Sequence, residues 1–359
     1  MKIAIGGDVC IMSDCCGAFA SGEGHKTFND VLSVFSKADF SIVNVECAIT
    51  ESENAIKKIG PNLKAPIGTA KSLKKAGITH ASLSNNHIFD FGIEGAADTV
   101  KYLEENGIIT TGLGKNRNDA RRDLIISDGK IKVAVIAVCE HEFSYALDNR
   151  MGAREYDPYD TMDDIVSAKK KADYVVVLYH GGKESCLYPS ERLLKLCRSM
   201  IKHGADAVLC QHSHCIGCYE EYEGGHILYG QGNFHFVHDE WAGEGLEREM
   251  WNTGLVAVLD FNGKCNIELI PTEVYSNGIR LAPKERKEDI LKGLYERSHS
   301  LKNGEYLKKF EEFCKTVEGV YGFIPQDIRE LFAHYLDCEA HSDVWRILYK
   351  TCNHTNELN

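Results

Sequence analysis

The sequence THASLSNNHIFDFG, residues 79–92, changes character half-way along. Its first half is an apolar run that predicts a buried strand over His80–Ser84. The polar residues that follow are Asn85, Asn86, His87 and, three residues later, Asp90. Two amides, an imidazole and a carboxylate are costly to bury unless something binds them. The segment therefore predicts a strand that ends in a binding site, and a metal ion is the first candidate for what it binds.

Other strand ends repeat this pattern. Apolar runs of strand length alternate with amphipathic helical stretches over residues 1–275, which predicts an α/β fold with helices on the sheet faces. The acids, amides and histidines at the predicted strand ends are Asp8, Asn44, Glu46, Asn85, Asn86, His87, His180, Glu184, His212, His214, Asn233 and His235. Ligands of open α/β sheets bind at the carboxyl ends of strands, so we expect these side chains to converge.

The mixture of carboxylate, amide and imidazole favours a transition metal. Zinc, manganese or iron suits such a set better than calcium or magnesium, and the number of candidates suits one or two divalent ions. His212 and His214 are two residues apart, so a regular strand would point them to opposite faces. They can share one site only if the chain turns there.

Composition and charge exclude several classes of protein. The 359 residues are 43% hydrophobic and carry a net charge of −12, which argues against binding to nucleic acid or to anionic membranes. A small molecule or an acidic polymer remains as substrate. The N-terminal sequence MKIAIGGDVC does not resemble a signal peptide, and no apolar run approaches the ~18 residues of a membrane span. We therefore expect a cytoplasmic protein with no membrane anchor and fourteen reduced cysteines.

The C-terminal part differs from the rest. Helical periodicity dominates from residue 283 to the end, which predicts two parts, a main domain over 1–275 and a helical extension over 283–359. The predicted helices of the extension are Glu285–Ser300, Glu305–Val317, Gln326–Leu336 and Asp343–Lys350. An apolar stripe that includes Tyr306, Phe310, Leu331 and Tyr335 predicts docking on the main domain, on another protein or on a second copy of the chain.

Seven short motifs follow one another along the chain. They are GD at 7–8, NVE at 44–46, AP at 65–66, NNHIFDFG at 85–92, HGGKE at 180–184, HSH at 212–214 and YGQGNF at 229–234. Their order resembles the CapA-type capsule synthesis family, also called the poly-γ-glutamate biosynthesis protein family, a branch of the metallo-dependent phosphatase (calcineurin-like) superfamily. The resemblance covers roughly residues 1–262 and leaves the C-terminal helices outside.

The resemblance implies a fold and a site. The fold would be a four-layer α-β-β-α sandwich of two mixed sheets. The superfamily holds one ion with an Asp, a His and the last His of G-H-x-H, and a second ion with an Asn, a His and the first His, while an acidic residue bridges both. The metal ligands implied here are Asp8, Glu46, Asn86, His180, His212 and His214. The implied proton donor is His87, oriented by Asp90. We expect substrate contacts from Asn44, Asn85, Glu184 and Asn233.

Several residues depart from the family pattern. Cys10 stands where the wider superfamily has a histidine ligand, so it is either inert or a thiolate ligand. Gln211 replaces the glycine before His212, and Gly230-Gln231 replaces Ser-Leu. Cys215 and Cys218 form a C-x-x-C that suits zinc, a redox pair or neither, because an isolated motif of this kind is a weak signal.

The sequence leaves the function between three alternatives. One is a metal-dependent hydrolase that acts on a phosphoester or on an acidic, polyglutamate-like substrate. Another is a non-hydrolytic component of capsule or poly-γ-glutamate biosynthesis or assembly. The third is a degenerate binding module with no activity. Fold resemblance alone does not choose among them.

Overall fold

The computed structural model describes residues 1–12, 15–140, 143–238, 240–241, 243–321 and 337–353. The strands are β1 (Lys2–Val9), β2 (Phe40–Val45), β3 (Ala48–Ile49), β4 (Lys64–Ala65), β5 (His80–Ser82), β6 (Ile109–Thr111), β7 (Leu113–Gly114), β8 (Leu124–Ser127), β9 (Lys132–Cys139), β10 (Gly152–Ala153), β11 (Tyr174–His180), β12 (Ala207–Gln211), β13 (Tyr219–Tyr222), β14 (Gly225–Leu228), β15 (Asn233–His235), β16 (Thr253–Asn262), β17 (Lys264–Tyr275) and β18 (Gly278–Leu281).

The described helices alternate with the strands up to β18 and then follow one another. They are α1 (Cys16–Ala20), α2 (Leu32–Phe35), α3 (Gly68–Lys75), α4 (Gly92–Glu105), α5 (Arg117–Ala120), α6 (Pro158–Lys169), α7 (Glu191–Lys202), α8 (Gly245–Trp251), α9 (Lys284–Asn303), α10 (Glu305–Thr316), α11 (Glu318–Tyr321) and α12 (Glu339–Asn353), with a 3₁₀ helix at Gly24–Val31. The predicted helix Gln326–Leu336 lies outside the described residues.

Two mixed sheets form the centre of the molecule. The first has the order β18-β17-β16-β1-β2-β5-β6, with β15 paired to the end of β1. Its β1, β2, β5 and β6 run parallel, and β16 to β18 run antiparallel. The second has the order β13-β14-β12-β11-β9-β8, with antiparallel pairs at its two edges. Successive side chains of each strand point to opposite faces, so each sheet has two apolar faces that other elements must cover.

One apolar core lies between the sheets and joins residues such as Ile3, Ile5 and Leu259 of the first sheet to Val176 and Leu178 of the second. The outer face of the first sheet is covered by α3 and α4, and that of the second by α6 and α7. The layers therefore run helix, sheet, sheet, helix. This confirms the four-layer sandwich of two mixed sheets expected from the sequence.

A β-bulge in β1 decides which way Asp8 points. Ile5 pairs with Ile42 and Asp8 with Asn44, so three steps along β1 match two along β2. Regular alternation would place Asp8 on the outer face with Ala4, but the extra residue turns it to the face shared by the two sheets. Gly7 lies in the bulge, where a Cβ would come within 2.8 Å of the Gly232 carbonyl oxygen.

The C-terminal helices pack on the sandwich. Leu294 of α9 is buried against the core between the sheets, and α9 contacts β13 and β17. Phe310 of α10 and Val344 of α12 are buried in a small cluster with Cys186 from the loop after β11. β18 extends the first sheet to Leu281, past residue 275. The division into two domains stays a prediction.

Among the residues described, no helix is both long enough and apolar enough to cross a membrane.

Candidate metal centre

The polar residues of the strand ends meet where the two sheets face each other. Asn44 and Glu46 follow the alternation of Ile42, which points into the core between the sheets, and the bulge gives Asp8 the same direction. His180 follows Val176 and Leu178 on the facing side of β11. Each strand thus contributes apolar residues to the shared core and then one or two polar residues at its carboxyl end. Most of these polar residues converge as predicted, but His235 does not, because its ring packs against Phe19 and Phe28 and its Nε2 lies 2.7 Å from Thr27 Oγ1.

Two groups of side chains offer ligand atoms that lie within 4.8 Å of one another. One group is Asp8, Glu46 and His180, and the other is Glu46, His212 and His214. Glu46 Oε1 lies 3.3 Å from His180 Nε2, 3.9 Å from His212 Nδ1 and 3.8 Å from His214 Nε2. In the arrangement that the family resemblance implies, His212 and His214 bind different ions. In this structure, both imidazoles lie in one group with Glu46. The carboxylate common to both groups is Glu46.

The surroundings of Glu46 suit a cation. Its side chain is fully buried, and neither carboxylate oxygen accepts a well-aligned hydrogen bond from a described residue, although His180 Nε2 lies 3.3 Å from Oε1. A buried carboxylate without donors is costly, and a divalent cation would satisfy it. Burial opposes its ionisation, but His214 and His180 outweigh burial and hold the pKa of Glu46 well below the usual range. The donor set therefore fits one or two metal ions.

Asp8 is the second buried carboxylate of the centre. Its Oδ1 accepts a hydrogen bond from Asn44 Nδ2 at 2.7 Å, and its Oδ2 accepts one from the His212 backbone N–H at 2.9 Å. Burial and the neighbouring Glu46 carboxylate raise the pKa of Asp8. Two like charges side by side repel each other, so a cation between them would favour the ionised form of both.

His180 lies between two amides. Asn44 Nδ2 is 3.1 Å from His180 Nδ1, and Asn86 Oδ1 is 3.0 Å from His180 Nε2. The Nε2 atom thus faces the oxygens of both Asn86 and Glu46. Asn86, Glu46 and His180 are therefore close enough to bind one ion together, and the ligand roles that the resemblance implies for them stay a prediction.

The two histidines of HSH converge because the backbone turns at each of them. His212 has a φ of 84° and His214 a φ of 52°, both in the left-handed region that favours glycine. Asn233 Oδ1 lies 2.9 Å from His214 Nδ1, so Nδ1 carries the proton and Nε2 faces Glu46. A hydrogen bond of this kind orients an imidazole for metal binding. The turn that the spacing requires is therefore present.

His87 belongs to a buried ionic group beside the centre. Its Nδ1 lies 2.7 Å from Asp90 Oδ2, and Lys58 Nζ lies 2.6 Å from Asp90 Oδ1. Lys58 Nζ is also 3.2 Å from His87 Nδ1. Since Nδ1 donates its proton to Asp90, this last contact joins two donors that share one acceptor and is not a hydrogen bond. Asp90 therefore orients His87, and Lys58 was not predicted from the sequence.

Residues 2–238 match the model of the family described as Bacterial capsule synthesis protein PGA_cap. The chain belongs to this family. The PGA biosynthesis protein CapA of Bacillus subtilis is 30% identical over 274 residues, which cover 74% of this chain and 68% of that protein. The capsule biosynthesis protein CapA of Bacillus anthracis is 31% identical over 218 residues, 58% of this chain. The chain spans about half the length of the latter relative, 53%.

Solved structures of similar shape include a putative 5'-nucleotidase from Staphylococcus aureus. It has a TM-score of 0.45 at 15% sequence identity, over 82% of this chain and 58% of that chain. A hypothetical protein from Thermus thermophilus has a TM-score of 0.44 at 19% identity, over 75% of this chain and 99% of that chain. Neither likeness identifies an activity for this member of the PGA_cap family.

A cavity of about 450 Å³ opens beside the centre of this PGA_cap protein. Its lining residues are Pro61, Leu63, His87, Glu184, Ser185, His214, Phe236, Trp241 and Trp251. The candidate proton donor His87 and the candidate ligand His214 thus border the same space. The aromatic residues of this cavity were not predicted, because they come from separate segments and form no motif in the sequence.

Of the four residues expected to contact substrate, only Glu184 lines this cavity. Asn44 is fully buried between Asp8 and His180, and Asn85 is fully buried and donates hydrogen bonds to Asn44 Oδ1 and the Val45 carbonyl. Asn233 lies behind His214 and donates to the Trp251 carbonyl. The placement of these three amides favours a positioning role over contact with substrate.

The cysteines lie outside both ligand groups of the described residues. Cys10 is fully buried, and burial together with Cys47 raises the pKa of its thiol well above the ordinary value. Burial raises the pKa of Cys215 and of Cys218 to about 12. Burial without a place in either ligand group favours an inert role for these three thiols.

Proposed function

We propose that this chain is a metal-dependent phosphoester hydrolase. The observation that supports the proposal most directly is Glu46, a fully buried carboxylate that belongs to both ligand groups and has three imidazoles within 4 Å of its Oε1. Asp8, Glu46, Asn86, His180, His212 and His214 would hold one or two divalent ions, either zinc, manganese or iron. When bound, such ions would supply an activated water and neutralise charge on a phosphate.

The side chains around the centre have separate tasks in this proposal. Hydrolysis adds one water across the P–O bond, so that the water oxygen bonds to phosphorus and the ester oxygen leaves with a proton. His87 would give that proton from Nε2, because Nδ1 is held by Asp90. Asn44 and Asn233 hold His180 and His214 in position. Glu184 at the cavity rim is the remaining candidate for contact with substrate.

The proposal is tested with metal content and turnover together. Protein purified without added metal should carry at least one transition-metal ion per chain and hydrolyse one or more simple phosphoesters. The double variant His212→Ala, His214→Ala should lose both, because it removes two of the three side chains of one ligand group. His87→Ala should keep the metal and lose turnover by ~100- to 10,000-fold, the usual scale for a general acid.

His203→Ala serves as the control, since His203 is exposed at the end of α7. Full metal occupancy in the double variant would contradict the ligand assignment. Metal binding with no turnover in the unaltered chain would favour the alternative, a non-hydrolytic role in capsule or poly-γ-glutamate biosynthesis, which family membership supports. The cytoplasmic location and the docking of a partner on the C-terminal helices stay predictions.

A further inference from the structure

Three aromatic rings form one wall of the cavity beside the metal centre. Phe236 and Trp251 meet edge to face, with ring centroids 5.2 Å apart and an interplanar angle of 79°. Trp241 and Trp251 are arranged similarly at 6.1 Å and 85°. Trp241 is 38% exposed, although it belongs to this aromatic cluster. The aromatic wall, defined as Phe236, Trp241 and Trp251, thus presents apolar surface to the cavity.

The aromatic wall is continuous with the metal centre. The His214 ring packs against Phe236 at 5.1 Å and against Trp251 at 5.2 Å. Leu63 and Pro61 line the cavity as well and add apolar surface. A molecule that reaches the ligand His214 therefore lies against apolar and aromatic side chains.

The described side chains that line the cavity carry no permanent positive charge that would favour binding of a polyanion. Among the described residues that line it, none is a lysine or an arginine, and Glu184 adds a carboxylate at the rim. Lys58 lies near His87, but its charge is paired with Asp90 and its side chain is 3% exposed. Beyond the carboxylate that a bound metal ion could pair, a chain of glutamate residues would bring further carboxylates next to apolar rings with no lysine or arginine of the described lining to pair them, which is unfavourable.

We propose that the substrate is a phosphoester of an aromatic alcohol, with the aromatic group stacked on the aromatic wall. This inference rests on the proposed function and adds the identity of the leaving group. His87 lines the same cavity as the aromatic wall, so the alcohol that leaves is the part that lies against the rings. Aromatic side chains favour offset or edge-to-face contact with a planar group, which gives the wall its selectivity.

The test compares naphthylmethyl phosphate with decahydronaphthylmethyl phosphate, two esters of primary alcohols with the same carbon skeleton that differ mainly in aromaticity. The metal-loaded full chain should hydrolyse the naphthylmethyl ester with a kcat/KM about 2- to 10-fold higher, the scale of one aromatic contact. Trp241→Ala should lower this ratio towards one, mainly through KM, and Trp241→Phe should retain most of it. Tyr159→Ala is the matched control, because Tyr159 is 81% exposed and lies outside the cavity.

Calorimetry with naphthylmethylphosphonate, which cannot be hydrolysed, measures the same preference without turnover. Equal rates for the two esters, or a ratio unchanged in Trp241→Ala, would overturn the aromatic inference and leave the proposed function standing. Tighter binding of an oligo-γ-glutamate than of the naphthyl compound would also overturn it. If neither ester is hydrolysed by the metal-loaded chain, the proposed function fails, and calorimetry then decides whether the aromatic wall binds its ligand.

Discussion

Lys58 lies in the extended segment between β3 and β4, and its ammonium group is buried against the Asp90 carboxylate. Removing two charges from water is costly, and the attraction between them offsets that cost only while both are present. Asp90 Oδ2 also accepts a hydrogen bond from the Leu63 N–H at 2.7 Å. Both oxygens of Asp90 are therefore engaged, and Oδ2 is the acceptor for His87.

Lys58→Met tests the contribution of this pair to stability. The change leaves the buried Asp90 without its cation, so the free energy of unfolding should fall by ~3–5 kcal/mol in urea titrations. Lys64→Met is the matched control, because Lys64 pairs with Glu53, whose side chain is 87% exposed, and such surface pairs contribute ~0–1 kcal/mol. Equal losses in the two variants would show that burial of Lys58 has no energetic consequence.

At the scale of elements, the bulge in β1 is supported by two glutamines. Gln231 Nε2 donates to the carbonyls of Ile5 and Leu255 at 2.7 and 2.9 Å, and Gln211 Nε2 lies 3.3 Å from both Gly6 O and Gln231 Oε1. These glutamines are two of the departures from the family pattern. Their side chains contact each other, so the two departures belong to one structural feature.

Gln231→Leu restores the residue of the family pattern and removes this support. The buried carbonyls of Ile5 and Leu255 each lose a donor, so the free energy of unfolding should fall by ~1–3 kcal/mol in urea titrations. The double variant Gln211→Gly, Gln231→Leu should lose less than the sum of the two single variants, because the side chains interact. Strict additivity would contradict the coupling.

The bulge also shows which features of the structure could not be predicted from the sequence. The buried strand predicted over His80–Ser84 is present as β5, and most of the polar strand ends meet as expected, because both follow from local patterns. The direction of Asp8 could not be predicted, because strict alternation places it on the other face. β17 and β18 were missed because charged and polar residues interrupt their apolar positions, and Lys58 was missed because its partner is distant in sequence.

At the scale of the whole molecule, the C-terminal helices are tied to both histidine loops. Arg297 of α9 donates to the Ile216 carbonyl at 2.8 Å, just after His214. Asp343 of α12 accepts from Arg192 Nε at 2.8 Å, and Arg192 Nη2 donates to Glu140 Oε1 at 2.6 Å. Glu140 in turn accepts from the Gly182 N–H, two residues after His180. The extension thus supports the loops that carry candidate ligands.

Asp343→Asn should weaken this connection. Hydrogen bonds to charged groups contribute ~1.5–3 kcal/mol, so the free energy of unfolding should fall by about that amount. Arg346→Gln is the control, because Arg346 Nη1 also lies 3.3 Å from Asp343 Oδ1 but its side chain is 66% exposed, and such exposed pairs contribute only ~0–1 kcal/mol. Urea titrations of both variants measure the difference, and a loss in Arg346→Gln as large as in Asp343→Asn would contradict the role of the buried network.

The same network should depend on pH. Burial opposes the ionisation of Glu140, but Arg192, Tyr179 and the Gly182 N–H outweigh it and lower the pKa of Glu140. A lowered pKa in the folded state means that the stabilisation is present above the unfolded value of about 4.3 and is lost as the pH falls through the folded value. The loss of stability caused by Glu140→Gln should therefore be largest at neutral pH and shrink in acid, as measured by urea titrations at both pH values.

At His212 and His214, the left-handed backbone places thermal stability in conflict with the proposed metal binding. A side chain with a Cβ costs roughly 1–2 kcal/mol in this conformation, and glycine avoids that cost. The chain therefore gives up part of its resistance to heat at the two positions where its proposed chemistry needs imidazole. Selection for heat resistance alone would favour glycine at both positions. Such a protein would keep the α-β-β-α fold but lose two candidate ligands of the metal centre.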